Sequence, residues 1–248
     1  MSRPRSGPAA PVAPYRRRVE AYDLVYGRKP YAAEARAVRA IARRYGRRPL
    51  RTLLDVACGT GRHLEILSRW YDCTGVDASP AMLALARRRA PGVRFRRCRM
   101  ETLELRRRFD VVTCLFSAIG YARSGAELRR VLGNLARHLA PGGVLLVEPW
   151  LTPRVFRAGR VNTLLARSPE LQVARMNDVR GRRGRSVLDF HYLVGAEGRV
   201  EHFVERHELA LFDVATMRDA FRRAGLRVVY RRGGLPMRRG LYIGYRPA

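Results

Sequence analysis

Lysine is almost missing from this chain: Lys29 stands alone among 50 basic residues, the rest being arginine, against 21 acidic residues and a formal net charge of +29. A positive surface of this size ordinarily reads as affinity for nucleic acid or an anionic membrane. Phosphate binding gives no reason to exclude lysine, whereas a GC-rich genome does, through its arginine codons. Coding bias is therefore read as the main source of the charge, and attraction for anionic ligands as the remainder. Cysteine is also scarce. Cys58, Cys73, Cys98 and Cys114 form no CxxC pair, which argues against metal or redox chemistry and for buried thiols. There is no run of 18 apolar residues and no signal peptide. A soluble protein in a reducing, cytoplasmic setting is expected, with no membrane partner.

What is present is regular alternation. The chain has 248 residues and is 47% hydrophobic, enough for one full core carrying a large insertion. Residues 1–14 are rich in Pro, Ala and Arg and are expected to be a disordered tail. Residues 31–46 carry Ala35, Val38, Ile41 and Ala42 on one helical face, with Gly46 as a stop. "RTLLDVAC", "DCTGVDA", "GVRFRRCRM", "FDVVTCLFSAIGYA" and "GVLLVEPW" read as strands, with helical periods between them. Ser79 is a natural N-cap with Pro80 behind it, and "APGG" reads as a terminator after the helix that precedes the fifth strand. Strands alternating with helices specify an α/β, mostly parallel doubly wound sheet, here over residues 15–150. From 151 to 211 the helical period disappears. "SVLDFHYLVG" and "RVEHFVERHELALF" alternate as antiparallel strands around a turn at "GAEG". Residues 212–248 return to a helix and two strands that complete the core.

The stretch "LLDVACGTG" at 53–61 carries the chemistry. Glycines let backbone approach a ligand with no Cβ in the way. The order is Asp55-x-Ala57-x-Gly59-x-Gly61, unlike the dinucleotide GxGxxG. A carboxylate inside the first strand suits a ligand with positive charge near the turn. Asp77 closes the second strand, where it can take both hydroxyls of a ribose. This constellation, over about residues 50–150, resembles the class I methyltransferases, which bind S-adenosylmethionine on a Rossmann-like fold. The resemblance implies that Ala57, Gly59, Gly61, Asp77 and Ala78 hold the cofactor, that Asp55 orients the loop or the amino group, and that Met100 and Leu115 lie against it. The family's acid after the third strand is replaced by Arg99, which cannot accept a hydrogen bond from the adenine amine.

"YDLVYG", "FSAIGYA", "VEPW", "FHYLV" and "RRGLYIG" narrow the likeness. With the glycine stretch they resemble the N,N-dimethyltransferases that act on nucleotide-linked amino-dideoxysugars in antibiotic biosynthesis, such as the desosamine and mycaminose precursors. That resemblance runs from about residue 15 to 246. It implies a dTDP-linked amino-sugar substrate, no nucleic-acid partner, a possible homodimer, and an insertion that roofs the sugar site. It also implies that Tyr22 and Tyr31 help hold the cofactor's methionine end and that Glu148, Trp150 and Arg239 meet the substrate. Arg239 suits a phosphate because its guanidinium forks onto two oxygens.

The amine must lose a proton before it attacks. Tyr15, Tyr121 and His191 are the candidates for this work; His63, His138, His202 and His207 read as solvated or framework residues. Two other acceptors compete. An O-methyltransferase needs a stronger base, and no histidine–carboxylate pair is evident in the sequence. An RNA methyltransferase would suit the charge, yet there is no appended RNA module, no Asn/Asp-Pro-Pro-Tyr motif and no aromatic-rich basic stretch.

Overall fold

The computed structural model describes residues 19–196 and 198–246. Tyr15 and the expected tail over 1–14 lie outside them. The described residues begin with α1 (Val19–Val25) and α2 (Tyr31–Tyr45). β1 (Thr52–Val56), β2 (Asp72–Asp77), β3 (Arg94–Arg97), β4 (Phe109–Cys114) and β5 (Leu139–Val147) then form a parallel sheet, interleaved with α3 (Arg62–Leu67), α4 (Pro80–Arg89) and α5 (Gly125–Arg137). Every residue of β4 is buried, because helices cover both faces of the sheet. One face packs Leu54, Val112 and Leu145 against Leu128, Val131 and Leu135 of α5. The other packs Leu53, Val111 and Leu146 against Val38, Ile41, Leu64 and Leu83. The Ser79 hydroxyl accepts the Met82 N–H at 3.3 Å, which is the cap that the sequence suggested for α4.

Two local expectations are corrected. The fourth strand was expected to run on through "FSAIGYA", but it stops at Cys114. Phe116 and Ser117 turn at φ 51° and 64°, a left-handed region that costs non-glycine residues energy. The apolar run hid this turn, because periodicity cannot separate a buried strand from a buried turn. The "APGG" stretch lies inside β5 rather than before it, with a register shift against β4 between Phe109 and Val111.

The insertion is a separate antiparallel sheet of β6 (Val161–Arg167), β7 (Gln172–Arg182), β8 (Arg185–Ala196) and β9 (Arg199–Ala210), in that order. It has two more strands than the sequence pattern resolved: β6 is mostly exposed, and β7 buries every second residue from Val173 to Val179 but two of those, Arg175 and Asn177, are polar, so neither shows apolar alternation. The chain then returns through α6 (Val214–Arg223) to β10 (Arg227–Arg231) and β11 (Leu241–Tyr245). β11 lies antiparallel to β5 and gives the main sheet the order β10-β11-β5-β4-β1-β2-β3. The order reverses between β1 and β4, and in open α/β sheets the crevice beyond the strand ends at that reversal is the ligand site.

Candidate active site

The glycine turn leaves β1 at this crevice. Ala57, Gly59 and Gly61 all have positive φ, at 58°, 56° and 77°. The two glycines serve different ends. A Cβ on Gly59 would meet nothing within 4 Å, so that backbone faces open space. A Cβ on Gly61 would stand 3.0 Å from the Cβ of Ala86, so there glycine lets α3 pack on α4. Asp77 fixes the turn: its Oδ2 accepts the Gly59 N–H at 2.9 Å and its Oδ1 accepts the Ser79 N–H at 2.8 Å. Each oxygen keeps a lone pair for a further donor. Burial raises the Asp77 pKa.

Asp55 is buried on β1 and accepts the Thr113 hydroxyl at 2.7 Å. Desolvation pushes its pKa up to about 6, as burial does for a carboxylate. Ala78 follows Asp77, and its carbonyl accepts from Arg97 at 3.4 Å. Met100 is half-buried in a short turn, pinned where its carbonyl accepts from Asn134 at 3.0 Å. Arg99 turns away to Glu101, 3.0 Å distant, and leaves no acid at the position it occupies. Leu115 is buried directly after β4.

α1 closes one side of this turn. Asp23 accepts the Thr60 hydroxyl at 2.7 Å and ion-pairs with Arg62 and Arg89 at 2.6 and 2.8 Å. Burial works to raise its pKa, but the hydrogen bonds from Arg62 and Thr60 prevail and hold it below the usual range. On the same helix Tyr22 packs on Tyr26, and Tyr26 meets the Phe116 ring edge-on at 5.0 Å. Arg175 of β7 donates to the Tyr26 hydroxyl at 2.7 Å, which ties the insertion to α1.

The lone lysine is part of this centre. Lys29 ion-pairs with buried Glu34 and stands 4.6 Å from the Tyr31 ring and 5.0 Å from the Phe116 ring. Glu34 also meets His63 Nε2 at 2.7 Å. Glu148, at the end of β5, is fully buried and accepts the Phe116 N–H at 2.6 Å. Burial, with the Glu34 charge next, raises its pKa. Glu34 and Glu148 each keep one carboxylate oxygen without a hydrogen-bond partner. Buried carboxylates with spare oxygens favour a cationic ligand. Sequence reasoning missed Lys29, Glu34 and His63; the signal for Lys29 was its survival in a chain otherwise purged of lysine.

Arg239 reaches the crevice from the segment before β11. It donates to the Ser117 hydroxyl at 3.1 Å and stacks over the Phe116 and Trp150 rings at 5.2 and 5.1 Å. Trp150 donates to Ser186 of β8 at 2.7 Å. Tyr121 meets the insertion too, its hydroxyl 2.6 Å from His207 Nδ1.

His191 is a correction. It is exposed, stacked on His202 at 5.7 Å, while its neighbour Tyr192 is buried. Successive strand residues face opposite sides, so His191 points away from Tyr121, and the inward histidine is His207. A second correction concerns histidine–carboxylate pairs, which do exist: His63 with Glu34, and His207 with Glu205 at 3.8 Å. His138 is buried framework, its Nε2 accepting the Leu105 N–H at 2.9 Å. Among the described residues there is no cluster able to hold a metal ion, and no helix long and apolar enough to cross a membrane.

Comparison with known proteins decides the family. Residues 53–143 match a methyltransferase domain model. The dTDP-3-amino-3,4,6-trideoxy-α-D-glucopyranose N,N-dimethyltransferase of Streptomyces venezuelae is 40% identical over 230 residues, covering 91% of this chain and 96% of that protein. The chain belongs to the dTDP-amino-sugar N,N-dimethyltransferases. The chain also shares its fold with solved relatives. The crystal structure of DesVI from S. venezuelae superposes with a TM-score of 0.87 at 38% identity, covering 92% of this chain and 98% of that one. CalS10 of Micromonospora echinaspora, an amino pentose methyltransferase solved with S-adenosylmethionine bound, gives 0.82 at 37% identity, covering 91% and 96%. The enzyme is an S-adenosylmethionine-dependent methyltransferase, and the open face of Gly59, the spare lone pairs of Asp77 and the buried carboxylates fit that cationic cofactor.

Proposed function

We propose that this enzyme methylates the amine of a dTDP-linked amino-dideoxysugar in natural-product biosynthesis. The observation that carries the reading is Arg239. A guanidinium held between two aromatic rings at the strand ends is preorganised to fork onto a phosphate, and relatives spanning nearly the whole chain act on dTDP sugars.

When bound, S-adenosylmethionine supplies a sulfonium methyl. Asp77 would take the ribose hydroxyls, the Gly59 backbone would make room beside the loop, and Asp55, Tyr22 and Tyr31 would border the methionine end, with Ala57, Ala78, Met100 and Leu115 lining the same site. Glu148 and Trp150 border the acceptor, with Arg239 at its anionic end. Since the methyl is already activated, the protein contributes chiefly orientation and the exclusion of water, together with a path for the amine proton. The arginine excess remains a product of coding bias in this reading, and no nucleic-acid partner is needed. Turnover with a dTDP-linked amino-dideoxyhexose, with methyl groups located on nitrogen by NMR, tests the reading. Methylation of a hydroxyl analogue in place of the amine would replace it with O-methyl transfer.

A further inference from the structure

Arg239 has a counterpart in the insertion. Arg239 is held between the Phe116 and Trp150 rings and donates to a neutral hydroxyl, that of Ser117. Arg175 of β7 is built in the same way. Its guanidinium lies against the Tyr26 and Phe190 rings, at 5.2 and 4.6 Å, and donates to the Tyr26 hydroxyl at 2.7 Å. The Tyr192 hydroxyl is its second phenolic neighbour. The two constructions abut, because the Tyr26 ring meets the Phe116 ring edge-on at 5.0 Å. One arginine thus comes from the segment before β11 and the other from the insertion, linked through a single pair of touching rings.

Among the described residues Arg175 is the one arginine that is buried, at 8% exposure. Neither it nor Arg239 ion-pairs with a carboxylate there, whereas Arg62 and Arg89 share Asp23. The Arg175 Nε has no hydrogen-bond partner. A buried guanidinium without a counter-ion is costly, and stacking on aromatic rings offsets only part of that cost. A ligand that brings negative charge removes it. The methionine end of the cofactor has one carboxylate, but a nucleoside-diphosphate sugar has two adjacent phosphates, each with a negative charge. Two arginines built alike on adjoining rings match the second pattern. Resting on the amino-sugar reading above, we propose that Arg175 holds one phosphate of the substrate's diphosphate while Arg239 holds the other. Each guanidinium is kept planar against its rings and keeps N–H groups beyond the one its hydroxyl accepts, so each can fork onto two oxygens. The diphosphate then bridges the insertion to the core, with one arginine on each.

The test is calorimetry of the full chain with dTDP, dTMP and S-adenosylmethionine, in the wild type, Arg175→Met, Arg175→Lys and Arg239→Ala. Arg175→Met should weaken dTDP by about ten- to a hundredfold, the range for one charge-assisted contact. It should leave S-adenosylmethionine binding unchanged, which also certifies folding. KM for the dTDP-amino sugar should rise to match, with kcat unchanged. Arg175→Lys should fall between Arg175→Met and the wild type, because it keeps the charge and loses the fork; it carries the test should Arg175→Met fold poorly. Both Arg175→Met and Arg239→Ala should weaken dTDP, but only one of them should weaken dTMP, which has a single phosphate. Unchanged dTDP affinity in Arg175→Met would overturn the proposal and leave the substrate reading intact; loss of S-adenosylmethionine in its place would give the guanidinium to the cofactor's carboxylate. Equal losses of dTMP in both variants would put the two arginines on one phosphate and overturn the division between them. A wild type that binds no dTDP would instead overturn the nucleotide-sugar reading, and this site with it.

Discussion

The Asp23 carboxylate accepts the Thr60 hydroxyl at 2.7 Å, and this one bond joins the first helix to the glycine turn. Arg62 and Arg89 complete the clamp from α3 and α4. Asp23→Ala removes the shared acceptor and strands two guanidinium groups. A stability loss of about 1–3 kcal/mol is expected, the scale for orphaning buried partners, together with weaker cofactor binding. The Asp23 pKa is held below its unfolded value, so its contribution is present above the unfolded pKa and disappears as pH falls through the folded one. Urea melts of wild type and Asp23→Ala at several pH values should converge only under acid; a constant gap would disprove the clamp.

Gly59 and Gly61 should fail in different ways. Gly61→Ala brings a methyl to 3.0 Å from Ala86 in a left-handed backbone, so the fold should lose about 1–3 kcal/mol from overpacking and strain. Gly59→Val pays a similar backbone cost, yet its side chain enters open space. Its main effect should be loss of S-adenosylmethionine binding, read by calorimetry. Equal cofactor affinity in Gly59→Val and wild type would place the ligand elsewhere.

Asp55 should make cofactor binding pH-dependent. Its pKa in the free protein is raised to about 6 by burial, so ionised Asp55 destabilises the free fold at neutral pH: stability is fullest below the unfolded pKa and declines as pH rises through 6. A cationic ligand favours the ionised form. Affinity for S-adenosylmethionine should therefore rise between pH 5 and 7, on the order of tenfold for each pKa unit the ligand restores. Asp55→Asn should flatten that profile and raise the melting temperature of the free protein at pH 7. A profile identical to wild type would remove Asp55 from the linkage.

Much of this was legible in the sequence, for physical reasons. Strand–helix alternation, the glycine turn and Asp77 depend on local chemistry that spacing reports directly. The insertion was less legible because β6 is exposed on most residues, while β7 alternates in burial but places Arg175 and Asn177 at inward positions, which hides the apolar period. His191 and His207 show the limit most clearly. Both occur in alternating strands, and one position of parity decides which faces the core; no feature of "DFHYLV" announces that parity without the partner strand. The Lys29–Glu34–His63 group was hidden for a different reason, since its members come from separate elements and meet only after folding. The turn at Phe116 and Ser117 was masked by an apolar run that reads equally well as strand.

Arg239 should govern substrate and leave the cofactor alone. A phosphate contact remote from the reacting nitrogen is made equally in ground and transition states. Arg239→Ala should therefore raise KM for the nucleotide sugar by about ten- to a hundredfold, the equivalent of a charge-assisted contact of roughly 1.5–3 kcal/mol. Arg239→Lys should recover only part, because it lacks the fork. Steady-state kinetics alongside calorimetry separates the two ligands; unchanged KM would show that the phosphate lies elsewhere.

The central claim is that the acceptor is the amine of a dTDP-linked sugar. The most direct measurement incubates the enzyme and S-adenosylmethionine with an equimolar mixture of a dTDP-amino-dideoxyhexose, its hydroxyl analogue and total RNA, and follows all three by mass spectrometry. The expected result is a gain of one and then two methyl groups on the amino sugar, with the hydroxyl analogue and RNA unchanged. Methylation of the hydroxyl analogue or of RNA, with the amino sugar untouched, would contradict it.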